Sequence, residues 1–465
     1  THTAVGSGAL GANTTGSHST AVGYLALGSN TTTSNNTAVG YAALGANTGS
    51  NNTAVGGRSM SNTTTGSYNC AFGEQALEAH TTSNSNHAFG YIALHDNSTG
   101  ANNCAFGYGS LYSYTASDNC GFGNYTLHNA TTGNDNAAFG YKGLLALTTG
   151  ARNTTVGSYA GDGITTASNN TAIGYAALTD ASNTGAQNTA VGAYAGSELE
   201  GGSNNTFVGY QACYVSSTAA ETAAFGAYAG LALTTGSYNT FLGAYAGKTL
   251  TTGTSNVFVG RAAGFATLNA NYCTVLGAGA LTQNSTGQYI TAIGYKALED
   301  NTVDGITAVG YECLKDNTTG ANNVAMGYQA LFTNTTGGDN TAVGSIALDA
   351  NTTGASNAAF GRDALGANTT GSSNIAMGQS ALANNTTANN STAVGKAAMA
   401  LSTTAGNCTS MGYAALYSCT TGDANTAYGF QAGYNITTGT GNVCLGYEAG
   451  QDQITTTSNQ LYIAR

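Results

Sequence analysis

Charge is what this sequence has least of. Only 7% of its 465 residues are Asp, Glu, Lys or Arg, against about 25% in ordinary soluble domains. Solubility must therefore come from Asn, Thr, Ser and Gln. The 10 basic residues are outnumbered by 21 acidic ones, for a net charge of −11. There is no basic patch, so nucleic acid, whose phosphates need one, is excluded as a partner. No apolar run approaches the ~20 residues of a membrane helix, so membrane insertion is not expected, and no signal peptide is visible. Proline and tryptophan are absent. Low charge with 67 glycines can also mark disorder. Against disorder stand the hydrophobic residues, 41% of the chain, which recur with a strict period. The nine cysteines are odd in number and show no paired spacing. Most occupy positions that elsewhere carry Ala, Thr, Asn or Leu, so they read as small buried side chains rather than a disulfide framework.

What is present is one phrase written many times. NTAVGYAALGAN at 36–47 returns as NTAIGYAAL at 170–178, ITAIGYKAL at 290–298 and NTAVGSIAL at 340–348. With the glycine of "AVG" as marker (Gly6, Gly23, Gly40 and onward to Gly446), there are 27 copies. Of the 26 intervals, 22 are 17 residues, three are 16 and one is 18. Such a period is too short for a helix pair and fits one coil of a β-solenoid.

The columns of the repeat assign faces. The residue before the marker is apolar in all 27 copies, for example Val39, Phe72, Ile173, Met326 and Leu445. Two positions before that stands mostly Thr, such as Thr37 and Thr171. In a strand these two share a face, and the expectation is that this face fills the coil. Between them lies Ala in 19 copies, with Phe207, Phe241 and Phe258 among the exceptions. This column is expected to point outward. Asn precedes the Thr in 19 copies, and stacked amides can hydrogen-bond along a ladder. After the glycine bend, Y-x-A-L is expected to form a second short strand, followed by a polar outer turn such as NTTG. The fold class is therefore all-β: a parallel β-solenoid of 27 coils over residues 1–452, with 453–465 a degenerate final coil leading toward a further C-terminal domain. Thr3–Gly6 already belongs to a repeat, as in a piece of a longer product.

The four positions from Asn to the apolar residue contain no Asp, Glu, Lys or Arg in any of the 27 copies. A strand dry on both faces is buried on both faces, and one narrow coil would leave a long apolar strip uncovered. Side-by-side self-association follows, most simply as a parallel homotrimer. The phrase NTAVGYxALxxNTTGSxN resembles the repeats of bacteriophage tail fibres and related adhesins. More distantly, it is similar to the AVAIG repeats of trimeric autotransporter adhesin heads, which are left-handed parallel β-rolls wound as trimers. SNQLYIAR at Ser458–Arg465 resembles the junction at which phage fibre repeats give way to an intramolecular chaperone of the endosialidase type. The resemblance implies an extracellular fibre shaft on a virion. A bacterial surface adhesin or filament built from the same coil is the alternative.

The motif content points the same way. There is no P-loop, HExxH or nucleophile elbow, and Gly161–Gly163 lacks a dinucleotide-binding context. No residue is assigned a catalytic, cofactor-binding or metal role, and no cofactor is expected. Cys70, His87, Cys104 and Cys120 occupy the Thr column in four successive coils. They are zinc-type ligands, but over ~14 Å of stacked strands they are too spread for one tetrahedral ion. The 21 acidic residues form no column of the kind calcium-binding solenoids use. An ice-binding array is set aside because the Thr column is expected to face inward. The tyrosines after the marker, Tyr24, Tyr41, Tyr91 and Tyr175 among them, are read as structural stacking. Contact with a host-cell surface glycan is the sharper reading. Asn13, Asn62 and Asn368 sit in glycosylation sequons, which also make good turns.

Overall fold

The computed structural model describes residues 1–451 and 455–464. The chain is all-β and winds as a parallel β-solenoid of about 27 turns of ~17 residues. It divides into two compact units, Thr1–Thr235 and Gly236–Arg465. Within the first, the strands run from His2–Val5 to Ala223–Phe225; within the second, from Thr240–Leu242 to Leu461–Ile463. Inside each unit every strand pairs in parallel with the strand of the next coil, column on column: Thr20↔Thr37, Ala21↔Ala38, Val22↔Val39 in the first, and Thr341↔Ala358, Ala342↔Ala359, Val343↔Phe360 in the second. The expected change of character at 452/453 falls on residues outside those described. Beyond it, Leu461–Ile463 still pairs in register with Val443–Leu445.

The faces are the reverse of those expected. In Ile375–Met377 the outer two residues are 41% and 45% exposed, while Ala376 between them is fully buried. From the second coil onward the Ala column points into the coil: Ala21, Ala38, Ala172 and Ala342 are completely buried. The Thr and Val/Phe columns share a face, as expected, but it is the outer one. The reason is volume. The residue four after the marker, commonly Leu (Leu27, Leu44, Leu348), is also fully buried and lies across the coil from the Ala. A narrow coil holds one large residue of this pair, not two. Where the Ala column carries Phe241 or Phe258, the facing position becomes Gly247 or Gly264. A Cβ on Gly247 would stand 2.6 Å from the Phe241 ring, and one on Gly264 would stand 2.6 Å from the Phe258 ring.

The expected second strand is a turn. Its residues two and four after the marker are left-handed, Leu25 at φ 56° and Leu27 at φ 51°, a pattern repeated at Ala42 and Leu44. Alternating the backbone hand turns successive peptide groups along the solenoid axis. The turn is therefore bonded from coil to coil as the strand is: Leu27 N donates to Ala43 O at 3.0 Å and Leu25 N to Ser7 O at 3.0 Å. Non-glycine residues pay a conformational cost in this region. It is offset by pairing that leaves few backbone groups of the coil without a partner.

Two buried amide columns complete the interior. Asn52 N donates to Asn36 Oδ1 at 2.9 Å, and Asn52 Nδ2 to Gly66 O at 2.8 Å. The next coil repeats the first bond, from Asn69 N to Asn52 Oδ1. The Asn of the NTTG turn, expected on the outside, forms the second ladder. Asn317, Asn334, Asn351, Asn368 and Asn385 each donate Nδ2 to the Oδ1 of the Asn one coil earlier, at 2.7–2.9 Å. All are fully buried. A buried amide left without its partner costs about 1–3 kcal/mol, so the column sustains itself only while each coil supplies its Asn. Asn368 is thereby an unsuitable sugar acceptor, whereas Asn62 is exposed.

His80 takes an Asn place in this second column. It is buried, with Nδ1 3.2 Å from Thr63 Oγ1 and Nε2 2.9 Å from Ser83 Oγ. Burial pulls its pKa from the usual 6.5 down to about 4. Between these values the unfolded chain binds a proton that the folded chain refuses. Stability is thus complete above pH 6.5 and is lost as the pH falls toward 4, by about 3 kcal/mol in all. His80→Asn is expected to flatten this dependence, read as a smaller drop in the melting temperature between pH 7 and pH 4.

Candidate interaction surface

The reversal of faces places the chemistry of the outer sheet in view. Along the first unit, Phe72, Phe89, Phe106, Phe122 and Phe139 occupy the outward column of five successive strands. Their rings stack at centroid distances of 5.1, 4.3, 4.7 and 5.3 Å, within 9° of parallel. In-register pairing holds identical side chains one strand spacing apart, which is offset-stacking distance. In the second unit the same column runs through Leu242 (49% exposed), Leu276, Met326 and Phe360. A Phe presents 150–250 Å², so the five stacked rings alone leave roughly 300–400 Å² of apolar surface open, about as much as the largest patch of a typical monomer.

Beside the Phe stack lies the column expected to be inward: Cys70, His87, Cys104 and Cys120, paired in register on four neighbouring strands. Here it faces out, with His87 exposed and the three cysteines half-buried. Of the nine cysteines, all free thiols, the other six are buried. Among the described residues no group of three or more His, Cys, Asp or Glu is placed to hold a metal ion. A hydrogen bond from Cys120 pulls the Cys104 thiol down to about 7 and pushes that of Cys120 up.

The Thr column, expected to face inward, faces outward, but it is too broken to form an ice-binding surface. The column holds at most four threonines in succession, as at Thr154, Thr171, Thr189 and Thr206, before Ala223 breaks it. The neighbouring column changes from Val to Phe to Met. Among the described residues there is no flat, evenly spaced hydroxyl array.

A second outward feature follows the bend. Tyr295, Tyr311 and Tyr328 stack at 5.3 and 5.4 Å. From Tyr108 to Tyr210 the tyrosine alternates between the first and second positions after the marker, and the rings alternate with it. Tyr141 meets Tyr159 at 87°, Tyr159 meets Tyr175 at 79°, and Tyr194 meets Tyr210 at 83°. Edge-to-face contact fits the ring quadrupole. Lys142 Nζ lies 5.2 Å from the Tyr141 ring and 5.5 Å from that of Tyr159, within cation–π range. Both the stacking and the outward exposure expected of the tyrosines are present together.

Charge is confined to the turns. His95 lies 3.2 Å from Glu78 and 2.6 Å from Asp96, and Arg58 lies 3.8 Å from Glu78. The same region holds an open groove of about 440 Å³, lined among others by Gly28, Tyr41, Gly45, Arg58, Asn62 and Glu78. Among the described residues no helix is long and apolar enough to cross a membrane. Compared with protein-family models, curated proteins and solved structures, the chain matches none of them.

Proposed function

We propose that this chain is the shaft of an extracellular fibre of the virion tail-fibre type, a parallel homotrimer packed through its outer sheet faces. Its work is mechanical: it holds a receptor-binding or chaperone-bearing end away from the particle, and stacked ladders supply the stiffness. The observation that carries the reading is the outward column before the marker glycine. It is apolar in every coil, lies on strands without a formal charge, and is 36–49% exposed at Phe122, Phe139, Ile173, Leu242 and Met377. A second copy of the chain, with the same strand spacing, is the partner that matches such a face coil for coil. The turns vary by a single residue, so no coil carries a grafted loop of the kind that usually holds specificity. The exposed tyrosines suit weak, repeated contact with a host-cell glycan, which multivalency would strengthen. A bacterial surface adhesin of the same coil shares all these properties. The flanking sequence separates the two, by a virion-attachment domain in one case and a membrane-anchor barrel or signal peptide in the other.

The test is Met377→Lys. The side chain points out, so the β-sheet circular dichroism is expected to persist. The ammonium groups would be buried only in the assembly, at several kcal/mol, and association should weaken by roughly a hundredfold or more. Light scattering of the wild-type chain at micromolar concentration reads the oligomer directly. A monodisperse monomer there, or a Met377→Lys chain that assembles as well as the parent, overturns the proposal.

A further inference from the structure

Six cysteines are buried, and two of them share one coil. Cys408 stands four residues before Gly412 and Cys419 seven after it. These are the two positions that carry the two buried Asn columns. Cysteine occurs at the first position in two coils, Cys273 and Cys408, and at the second in one, Cys419. The single cysteine of the second column thus falls in a coil where the first column carries cysteine too.

The same two positions approach each other elsewhere. About Gly90 they are Asn86 and Asn97, and Asn97 Nδ2 donates to Asn86 Oδ1 at 3.4 Å. About Gly412 the same two positions are Cys408 and Cys419. Both donate to one acceptor, Gly422 O, at 3.3 and 3.2 Å. Neither residue is accessible to solvent.

We propose that Cys408 and Cys419 close a disulfide across the interior of this coil, made as the chain folds in the presence of a small-molecule disulfide. One thiolate attacks the oxidant and releases its first thiol. The other attacks the mixed disulfide and releases the second. The protein gives up two electrons and two protons, and one small disulfide becomes two thiols. The surroundings accept the change without orphaning a polar group. Gly422 O, deprived of two S–H donors, keeps Asn425 Nδ2 at 2.9 Å, and Gly406 O, which also accepts from Cys408, keeps Ala424 N at 3.0 Å. Asn425 N and Nδ2 point at Cys408 Sγ and Cys419 Sγ, at 3.4 and 3.7 Å, and a disulfide sulfur still accepts. The outward pair Cys104 and Cys120 is less suited. Its Cβ atoms project in parallel from adjacent strands ~4.8 Å apart, beyond the ~3.8 Å mean of a disulfide. The inference does not depend on the fibre reading.

The experiment refolds the full chain in mixed oxidised and reduced glutathione. Free thiols are then trapped with iodoacetamide in denaturant, and the protein is digested with chymotrypsin, which cuts after Tyr413 and Tyr417 between the two cysteines. The peptides bearing Cys408 and Cys419 are expected to emerge joined and to separate on reduction. Cys408→Asn/Cys419→Asn, which restores the residues of both columns, should fold, lack the joined pair, and lose the reductant-induced drop in melting temperature seen in the parent. Recovery of the two peptides separately, each alkylated, from protein that has regained its β-sheet signal overturns the proposal.

Discussion

Replacing Gly344 by alanine is expected to break the coil locally, at a cost of about 3 kcal/mol or more. Two independent demands meet at this residue. Its φ of +146° is one that an L side chain rarely adopts, and a Cβ there would lie 2.4 Å from Gly361 O of the next coil. The first demand alone is worth about 1–3 kcal/mol. The second cannot be relieved by a rotamer change, because the obstructing atom is backbone and is fixed by the stack. The control is Gly57→Ala. That glycine is not left-handed, and its Cβ would meet only Glu74 Cγ, at 3.8 Å, so the change should stay within about 0.5 kcal/mol. Hydrogen exchange reads both. In the Gly344 variant, protection should fall in the coils around Gly327 and Gly361 while distant coils keep theirs, since each coil depends on its neighbours. Unchanged protection there would remove the steric account of why the marker is glycine.

The substitution Ala376→Lys should abolish folding of its coil, whereas the change one residue on, Met377→Lys, leaves the fold intact. Ala376 is fully buried between Ala359 and Ala393 of the neighbouring strands. A lysine there must overpack a narrow interior and bury an ammonium group without a partner, at several kcal/mol. Loss of β-sheet circular dichroism and rapid proteolysis near residue 376 are the expected signs. A folded, protease-resistant Ala376→Lys chain would mean that the Ala column faces solvent.

These adjacent residues are also where the sequence pattern and the fold disagree. The invariably apolar column before the marker suggested an interior, because constancy of hydrophobic character is what a core requires. Constancy of size is the better criterion in a rigid, close-packed coil. Val39, Phe72, Met326 and Tyr428 share one column, and such a range of volumes fits only where the space outside is free. The inward column shows the opposite behaviour. It is Ala in 19 of 27 coils, and where Phe241 and Phe258 intrude, Gly247 and Gly264 give way across the coil. That compensation stands in the sequence and could have been read there. The left-handed turn could not. Leu25, Leu27, Ala42 and Leu44 are ordinary residues for a strand, and nothing local favours φ near +50° for them. Only the hydrogen bonds to the coils before and after offset it.

The sequence by itself determined the period, the parallel stacking, the in-register columns and the presence of amide ladders. Each of these follows from near-identity between neighbouring coils: a column of like residues one strand spacing apart needs no further information to form. Tertiary structure alone decided which columns face in. That depends on how much volume a closed 17-residue turn can hold, and on which residues lie opposite one another across it. The same closure brought together Cys408 and Cys419, eleven residues apart in the chain. It also put the Phe72–Phe139 stack and the Cys104–Cys120 pair on the outer face.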